Sequence, residues 1–320
     1  MSEPGAMDAS VVILSYDRVH LLERTLTTCL ADRTADALRW EIIVVDNHPD
    51  RLAEALVARL AAETATPLTY LSDARRNVSI VRNLGIKAAR GRFVAFIDDD
   101  EAPEPAWLRE LVACLDETGA DAAFGPKLPE FAAGHAPDWD PEGWRYTLDL
   151  RLPMNEPIHL FGRLRRRGKG LGSGNAAFRV ATCFDVPEPF SVAFGDGNGE
   201  DTHLLFRLAL AGRRFVWRPN ARVCEYIEEE RTRPAYMVTR MKRGSQHYAA
   251  SRIATSRNKA FTRLRVSLMG AAQVCVHAAL YVTSGEWGRR DRFEHRIGMA
   301  KGLGKLTWRA PIGFIDEKAA

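Results

Sequence analysis

Arg92-Phe-Val-Ala-Phe-Ile-Asp98-Asp99-Asp100-Glu101 is an apolar run that stops abruptly in a block of carboxylates. Five consecutive apolar residues between an arginine and an aspartate predict a strand buried on both faces, the pattern of a central strand in a parallel sheet. The acids then fall at the carboxyl end of that strand, where open α/β sheets bind ligands. Three carboxylates there point to a divalent cation and a polyphosphate. The other reading is an acidic loop ahead of the helix that starts near Trp107, since acids complement a helix amino terminus.

Working outward, Ser10-Val-Val-Ile-Leu-Ser15 reads as a buried strand, followed by leucines 21, 22, 26 and 30 at helical spacing. Trp40-Glu-Ile-Ile-Val-Val-Asp46 repeats the design before a helix from Leu52 to Thr64. Leu68 to Leu71 predicts a third strand, and Asn77 a cap for a helix that stops at Gly91. Trp107 to Glu117 is the next helix, ended by Gly119, and Ala122 to Pro126 a fifth strand. Alternating β and α elements predict a mostly parallel sheet with helices on both faces. From Lys127 to Lys169 the periodicity gives way to Pro, Trp, Gly and Arg, which reads as an irregular insertion beside the site. Regularity returns with a glycine-rich stretch from Gly168 to Phe178, a helix from Asp201 to Leu210, and strands at Arg214 to Trp217 and Val223 to Tyr226. Beyond Thr232 the chain reads as helical and basic. The expected division is an α/β domain over 1–230, with an irregular insertion at 127–170, and a helical basic region over 231–320.

At 320 residues with 46% hydrophobic content, the chain can bury a large core. Its net charge is only +4, but basic residues are dense from Arg163 to Lys169 and beyond Arg231, which suits a phosphate ligand or an anionic membrane surface. Five widely spaced cysteines without a Cys-x-x-Cys pair suggest reduced thiols. Met1 to Ala9 is short and lacks an apolar core, so the expectation is no secretory signal and a cytoplasmic location. Val266 to Val282 is apolar at nearly every position but interrupted by Gln273 and His277, with Arg263, Arg265, Arg289 and Arg290 flanking it. It is short for a span, so a helix packed in the fold or lying at the inner membrane surface is expected.

Several features carry chemistry. Asp46, ending the second strand, can hydrogen-bond a base or ribose, or make a local turn with Asn47. Alternate glycines from Gly168 to Gly174 can bring backbone N–H groups to anionic oxygens, or serve as a linker. Glu200 and Asp201 open an amphipathic helix, which places two acids at a fixed height beside the strand ends.

This ordered set resembles the inverting family 2 glycosyltransferases of the GT-A fold, over roughly Ser10 to Glu229. Leu14-Ser-Tyr16-Asp17-Arg18 is similar to the family's Thr-Tyr-Asn-Arg ending, with Asp17 in place of the usual Asn. Val45-Asp46-Asn47 is similar to its Val-Asp-Asp segment, and Ser79 to Gly91 to its Ala-Arg-Asn helix. The resemblance implies that Tyr16 packs on the base, that Asp46 hydrogen-bonds it, and that Arg82 lies near the nucleotide. It makes Asp98-Asp99-Asp100 the Asp-x-Asp motif, with Asp98 and Asp100 on Mg²⁺ or Mn²⁺ and Asp99 at the donor. Gly174 and Asn175 belong to the acceptor-side segment, and Glu200-Asp201 is the pair carrying the catalytic base, with Asp201 preferred. The Gln-x-x-Arg-Trp signature of processive synthases is absent; Arg240-Met-Lys-Arg243 stands there, with Arg243 as a diphosphate contact. The implied reaction is transfer of a single sugar from a nucleotide-diphosphate donor to a saccharide or lipid-linked acceptor, with inversion and no nucleic-acid partner. A nucleotidyltransferase on a related sheet and a non-catalytic saccharide-binding scaffold are the alternatives. A nicotinamide dehydrogenase is disfavoured because Ser15-Tyr-Asp-Arg-Val-His fills the turn where Gly-x-Gly-x-x-Gly would stand.

Overall fold

The computed structural model describes residues 7–161, 170–197, 199–284 and 289–309. The basic stretch from Arg163, the first glycine of the Gly168 loop, the first six residues and the last eleven lie outside them, as do the side chains of Arg289 and Arg290.

The strands are β1 (Met7–Ser15), β2 (Trp40–Asp46), β3 (Leu68–Ser72), β4 (Gly91–Asp98), β5 (Glu101–Pro103), β6 (Ala122–Phe124), β7 (Lys127–Phe131), β8 (Pro157–Ile158), β9 (Ala176–Arg179), β10 (Phe215–Trp217) and β11 (Val223–Ile227). The helices are α1 (Val19–Ala31), α2 (Glu54–Glu63), α3 (Val78–Ala88), α4 (Trp107–Thr118), α5 (Val180–Cys183), α6 (Glu200–Leu210), α7 (Glu229–Thr232), α8 (Pro234–Ala254), α9 (Lys259–Thr283) and α10 (Arg289–Leu306).

Eight strands form the main sheet in the order β3-β2-β1-β4-β9-β6-β10-β8. Strands β1 to β4 run parallel, with Ser15 beside Asp46 and Leu14 beside Asp98, so their carboxyl ends finish at one level. Alternate residues of β1 and β4 feed opposite faces: Val11, Ile13, Phe93 and Ala95 enter one apolar layer, Val12, Val94 and Phe96 the other. Burial on both faces is what the unbroken apolar runs encode. Asn77 caps α3 by accepting from Ile80 N, and α4 ends on Gly119 in the left-handed conformation.

Three differences from the expectation matter for function. The glycine-rich stretch ends in β9, an antiparallel strand wedged between β4 and β6. The acids after Asp98 do not simply precede a helix: Glu101–Pro103 is β5, which pairs with β11 and, through it, with β7 in a small second sheet. The expected irregular insertion thus opens with a regular strand, β7, where Lys127 is held beside Val223. These strands are three to five residues long and pair across about a hundred positions of sequence, so no local periodicity marks them. The boundary expected at 230/231 falls inside α7. All five cysteines are unpaired.

Candidate active site

The strand ends open into a cavity of about 1180 Å³ whose wall includes Tyr16, Arg82, Asp98, Asp99, Asp100, Glu200, Asp201 and Arg243. Eight of the expected site residues therefore meet in one place. Asp46, Gly174 and Asn175 do not line it.

Asp46 is completely buried, with Oδ1 accepting from His48 N at 2.8 Å and Oδ2 from Ala53 N at 2.8 Å and the Tyr70 hydroxyl at 3.1 Å. It makes the local turn rather than presenting an oxygen to a base; Asn47 is the neighbour on the cavity wall. Asn175 is likewise a structural lock. It sits at φ 55° and its amide is fully engaged, accepting from Trp107 Nε1 at 2.7 Å and donating to the carbonyls of Pro126 and Ala221. Gly174 acts through closeness: a Cβ there would lie 2.4 Å from Asp98 Oδ2, so only glycine lets the loop pass the carboxylate.

Around β4 the acids are distributed between two jobs. Asp99 and Asp100 bind the Arg18 guanidinium, and Asp100 also accepts from Arg231 Nη1 at 2.9 Å. Asp98, Glu101 and Glu225 surround the Lys127 ammonium. Asp98, Asp100 and Glu101 each offer an oxygen within 4.8 Å of the others, a hard donor set that fits Mg²⁺ or Mn²⁺. Asp99 is outside that set, which matches the Asp-x-Asp pairing, but Glu101 joins it. Burial pushes Asp99 up to about 7 despite Arg18, and Glu101 up to about 8 despite Lys127. Burial acts the same way on Asp98 and Glu225, but there nearby cations win: Lys127 and Arg82 hold Asp98 below its ordinary value, and Lys127 and Arg231 hold Glu225 at about 2.

Beside β4, Arg82 is buried with its guanidinium 5.5 Å from the Phe96 ring and 5.3 Å from the Phe190 ring. It donates to Ser173 Oγ and approaches Glu200 at 3.4 Å and Asp201 at 3.8 Å. Ser173 in turn donates from N at 3.0 Å and from Oγ at 2.7 Å to the Asp201 carboxylate. Of two adjacent residues, Ser173 thus bonds Asp201 and Gly174 passes close to Asp98.

The two acids of α6 are not equivalent. The Asp201 side chain is 24% exposed and the Glu200 side chain 3%, with Glu200 Oε2 buried without a hydrogen-bond partner among the described residues. Burial first, and then Asp201, push Glu200 up to about 8 against Arg82 and Arg243, so it keeps its proton at neutral pH. The folded protein holds a proton that the unfolded chain releases near 4.5, so this group's contribution to stability, full below that pH, is lost as pH rises toward about 8. Glu200→Gln is expected to flatten the dependence of Tm on pH in that window and leave the fold intact. Identical slopes for the variant and the parent would contradict the assignment.

Elsewhere the Tyr16 ring is partly exposed, tilted against His48 at 5.1 Å, with Arg76 6.0 Å from its centroid. Ser15 Oγ is buried on this wall without a hydrogen-bond partner among the described residues. Lys127, Glu225, Arg231 and His247 also border the site or its acids and were not singled out from sequence, while Glu101 was read only as part of the acidic block. Arg18 stood inside a quoted motif and could have been.

Residues 10–181 match the family model "Glycosyl transferase family 2", over half of the chain. The chain belongs to that family and is a glycosyltransferase. The succinoglycan biosynthesis protein ExoM of Rhizobium meliloti (strain 1021) is 28% identical over 291 residues, covering 91% of this chain and 90% of ExoM. A glucosyl-dolichyl phosphate glucuronosyltransferase of Haloferax volcanii is 29% identical, covering 73% of this chain and 74% of that protein. Among solved structures, the mannosyltransferase PcManGT from Pyrobaculum calidifontis, in complex with GDP-Man and Mn2+, matches with a TM-score of 0.65 at 17% identity, covering 95% of this chain and 88% of that one. The fold is accordingly GT-A, a mostly parallel central sheet flanked by helices.

Proposed function

We propose that the protein transfers one sugar from a nucleoside-diphosphate donor to a hydroxyl of a saccharide or lipid-linked glycan, with inversion at the anomeric carbon and Asp201 as general base. The observation that carries this reading is a cavity-facing carboxylate, Asp201, bonded by Ser173, whose neighbour Gly174 passes close to Asp98 in the acid cluster at the end of β4. Tyr16 offers the base a face to stack on, and Arg76 lies over the same ring. Arg18, Arg82, Arg231 and Arg243 supply positive charge along the cavity where a departing diphosphate gains negative charge. Asp98, Asp100 and Glu101 would hold Mg²⁺ or Mn²⁺, which when bound neutralises diphosphate oxygens. Ser173 and Arg82 orient Asp201 so that it takes the proton of the attacking hydroxyl, while Glu200, protonated beneath it, adds no competing charge.

Family membership removes the nucleotidyltransferase and scaffold alternatives. Product analysis tests the rest. With donor sugar, acceptor and Mn²⁺, the protein is expected to release a nucleoside diphosphate and form a glycoside of opposite anomeric configuration, read by NMR. Retained configuration, or addition of many sugars per acceptor, would overturn inversion or single transfer respectively.

A further inference from the structure

Helix α9 is amphipathic in the reverse of the usual sense. Between Val266 and Thr283 it has no Asp, Glu, Lys or Arg, and its two most polar residues, Gln273 and His277, face the protein. Gln273 accepts from Lys305 Nζ at 2.6 Å, and His277 meets His295 at 3.3 Å, both partners being on α10. Backbones nearly touch where the helices cross, since a Cβ on Gly302 would lie 2.7 Å from the Gly270 carbonyl oxygen. The outward face is apolar: Phe261, Leu264, Leu268, Val276, Leu280 and Val282 are 44% to 80% exposed. No described residue covers it, and a contiguous apolar surface of this kind marks an interaction site.

Charge selects the occupant. Arg257, Lys259, Arg263 and Arg265 are exposed at or just before the amino-terminal end of α9, which has no acidic residue along its length. Trp308 sits at the same end, with Arg263 and Arg309 5.7 and 5.3 Å from its ring. A second copy of the chain would bring the same base-rich, acid-free face and no counter-charge. An anionic bilayer supplies both the apolar medium and the counter-charge, and an aromatic ring beside arginines suits its headgroup level.

Packing also selects the orientation. Helix α9 is long and apolar enough to cross a membrane, but α10 runs along it from Trp308 beside Arg263 to Arg292 beside Tyr281. A spanning α9 would carry Arg292, Glu294, Lys301 and Lys305 of α10 into hydrocarbon, at several kcal/mol in total. We propose that the α9–α10 hairpin lies flat on an anionic lipid bilayer, with the outward face of α9 sunk into the boundary between headgroups and acyl chains. Helix α10 is fastened to α8, where Gln246 Nε2 donates to the Thr307 carbonyl at 3.0 Å, and α8 carries Arg240, Arg243 and His247 on the cavity wall. The bilayer is therefore held two helices from the active site. The inference stands on this surface alone and does not depend on the proposed reaction.

Flotation of the full chain with vesicles tests it. Phosphatidylglycerol-containing vesicles are expected to retain the protein and pure phosphatidylcholine vesicles to retain far less. Leu268→Glu with Val276→Glu should lower retention about tenfold or more, and Arg263→Glu with Arg265→Glu by a similar factor that high salt mimics in the parent. Circular dichroism and Tm of each variant establish that it is folded. Three results would overturn the proposal: no retention by anionic vesicles, carbonate-resistant insertion, or a dimer in light scattering that Leu268→Glu dissolves. Retention gained only on deletion of residues 310–320 would instead show that the tail is the occupant, and would also overturn it.

Discussion

Asp201→Asn is expected to keep donor affinity and lower turnover by about 10²- to 10⁴-fold, because a general base acts only as the transition state forms. The substitution is nearly isosteric, so the amide oxygen can still accept from Ser173 Oγ, which donates to Asp201 Oδ1 at 2.7 Å, although the bond from Ser173 N to Oδ2 is given up. The loss that acts on turnover is the ability to take a proton. Glu200→Gln is the contrasting variant: a buried carboxyl pushed up to about 8 is already neutral at working pH, and an amide of the same shape should cost little turnover. Steady-state rates with saturating acceptor, alongside calorimetric donor affinity, separate the two acids. Near-normal turnover in Asp201→Asn with a dead Glu200→Gln would pass the role to Glu200.

Asp100→Ala is expected to weaken Mn²⁺-dependent binding of a nucleoside diphosphate by about 100-fold or more, since a direct ligand should cost at least as much as the outer partners of a metal site. Asp100 also holds two guanidiniums, Arg18 at 2.8 Å and Arg231 at 2.9 Å, and stripping a shared counter-charge from them destabilises the site. Asp100→Asn keeps the shape and serves as the fold control. Calorimetry with and without Mn²⁺ reads the difference: the metal-dependent part of the affinity should vanish while the metal-free part persists. Unchanged affinity with Mn²⁺ in both variants would remove Asp100 from the metal set.

Legibility in the sequence followed the range of the interaction. Strands β1, β2 and β4 were readable because double-sided burial writes an unbroken apolar run, and α3 and α4 because Asn77 is a local start signal and Gly119 a local stop signal. Strands β5 and β7 were not, since each owes its existence to β11 across the chain. Lys127 and Glu225 stayed hidden for the same reason: their roles arise only where that small sheet brings them against Asp98. Asp46 and Asn175 show a different limit. Each lies next to a residue of the cavity wall or its support, but side-chain direction is decided by which backbone groups need a partner, and both turn to the backbone.

Strand β9 is hydrogen-bonded on both flanks, to β4 and to β6, so residues 173–175 hang from the middle of the sheet and cannot swing without tearing it. That support behind Asp98 and Asp201 pays its ordering entropy during folding, before any ligand arrives, and contributes the same whatever ligand binds. On the proposed reaction, discrimination among acceptors would come from walls that differ in what they touch, and α8 with Tyr236, Arg240 and His247 is a wall of that kind. Libraries meant to change the accepted glycan therefore belong on α8, while changes at 173–175 should cost activity toward all of them alike.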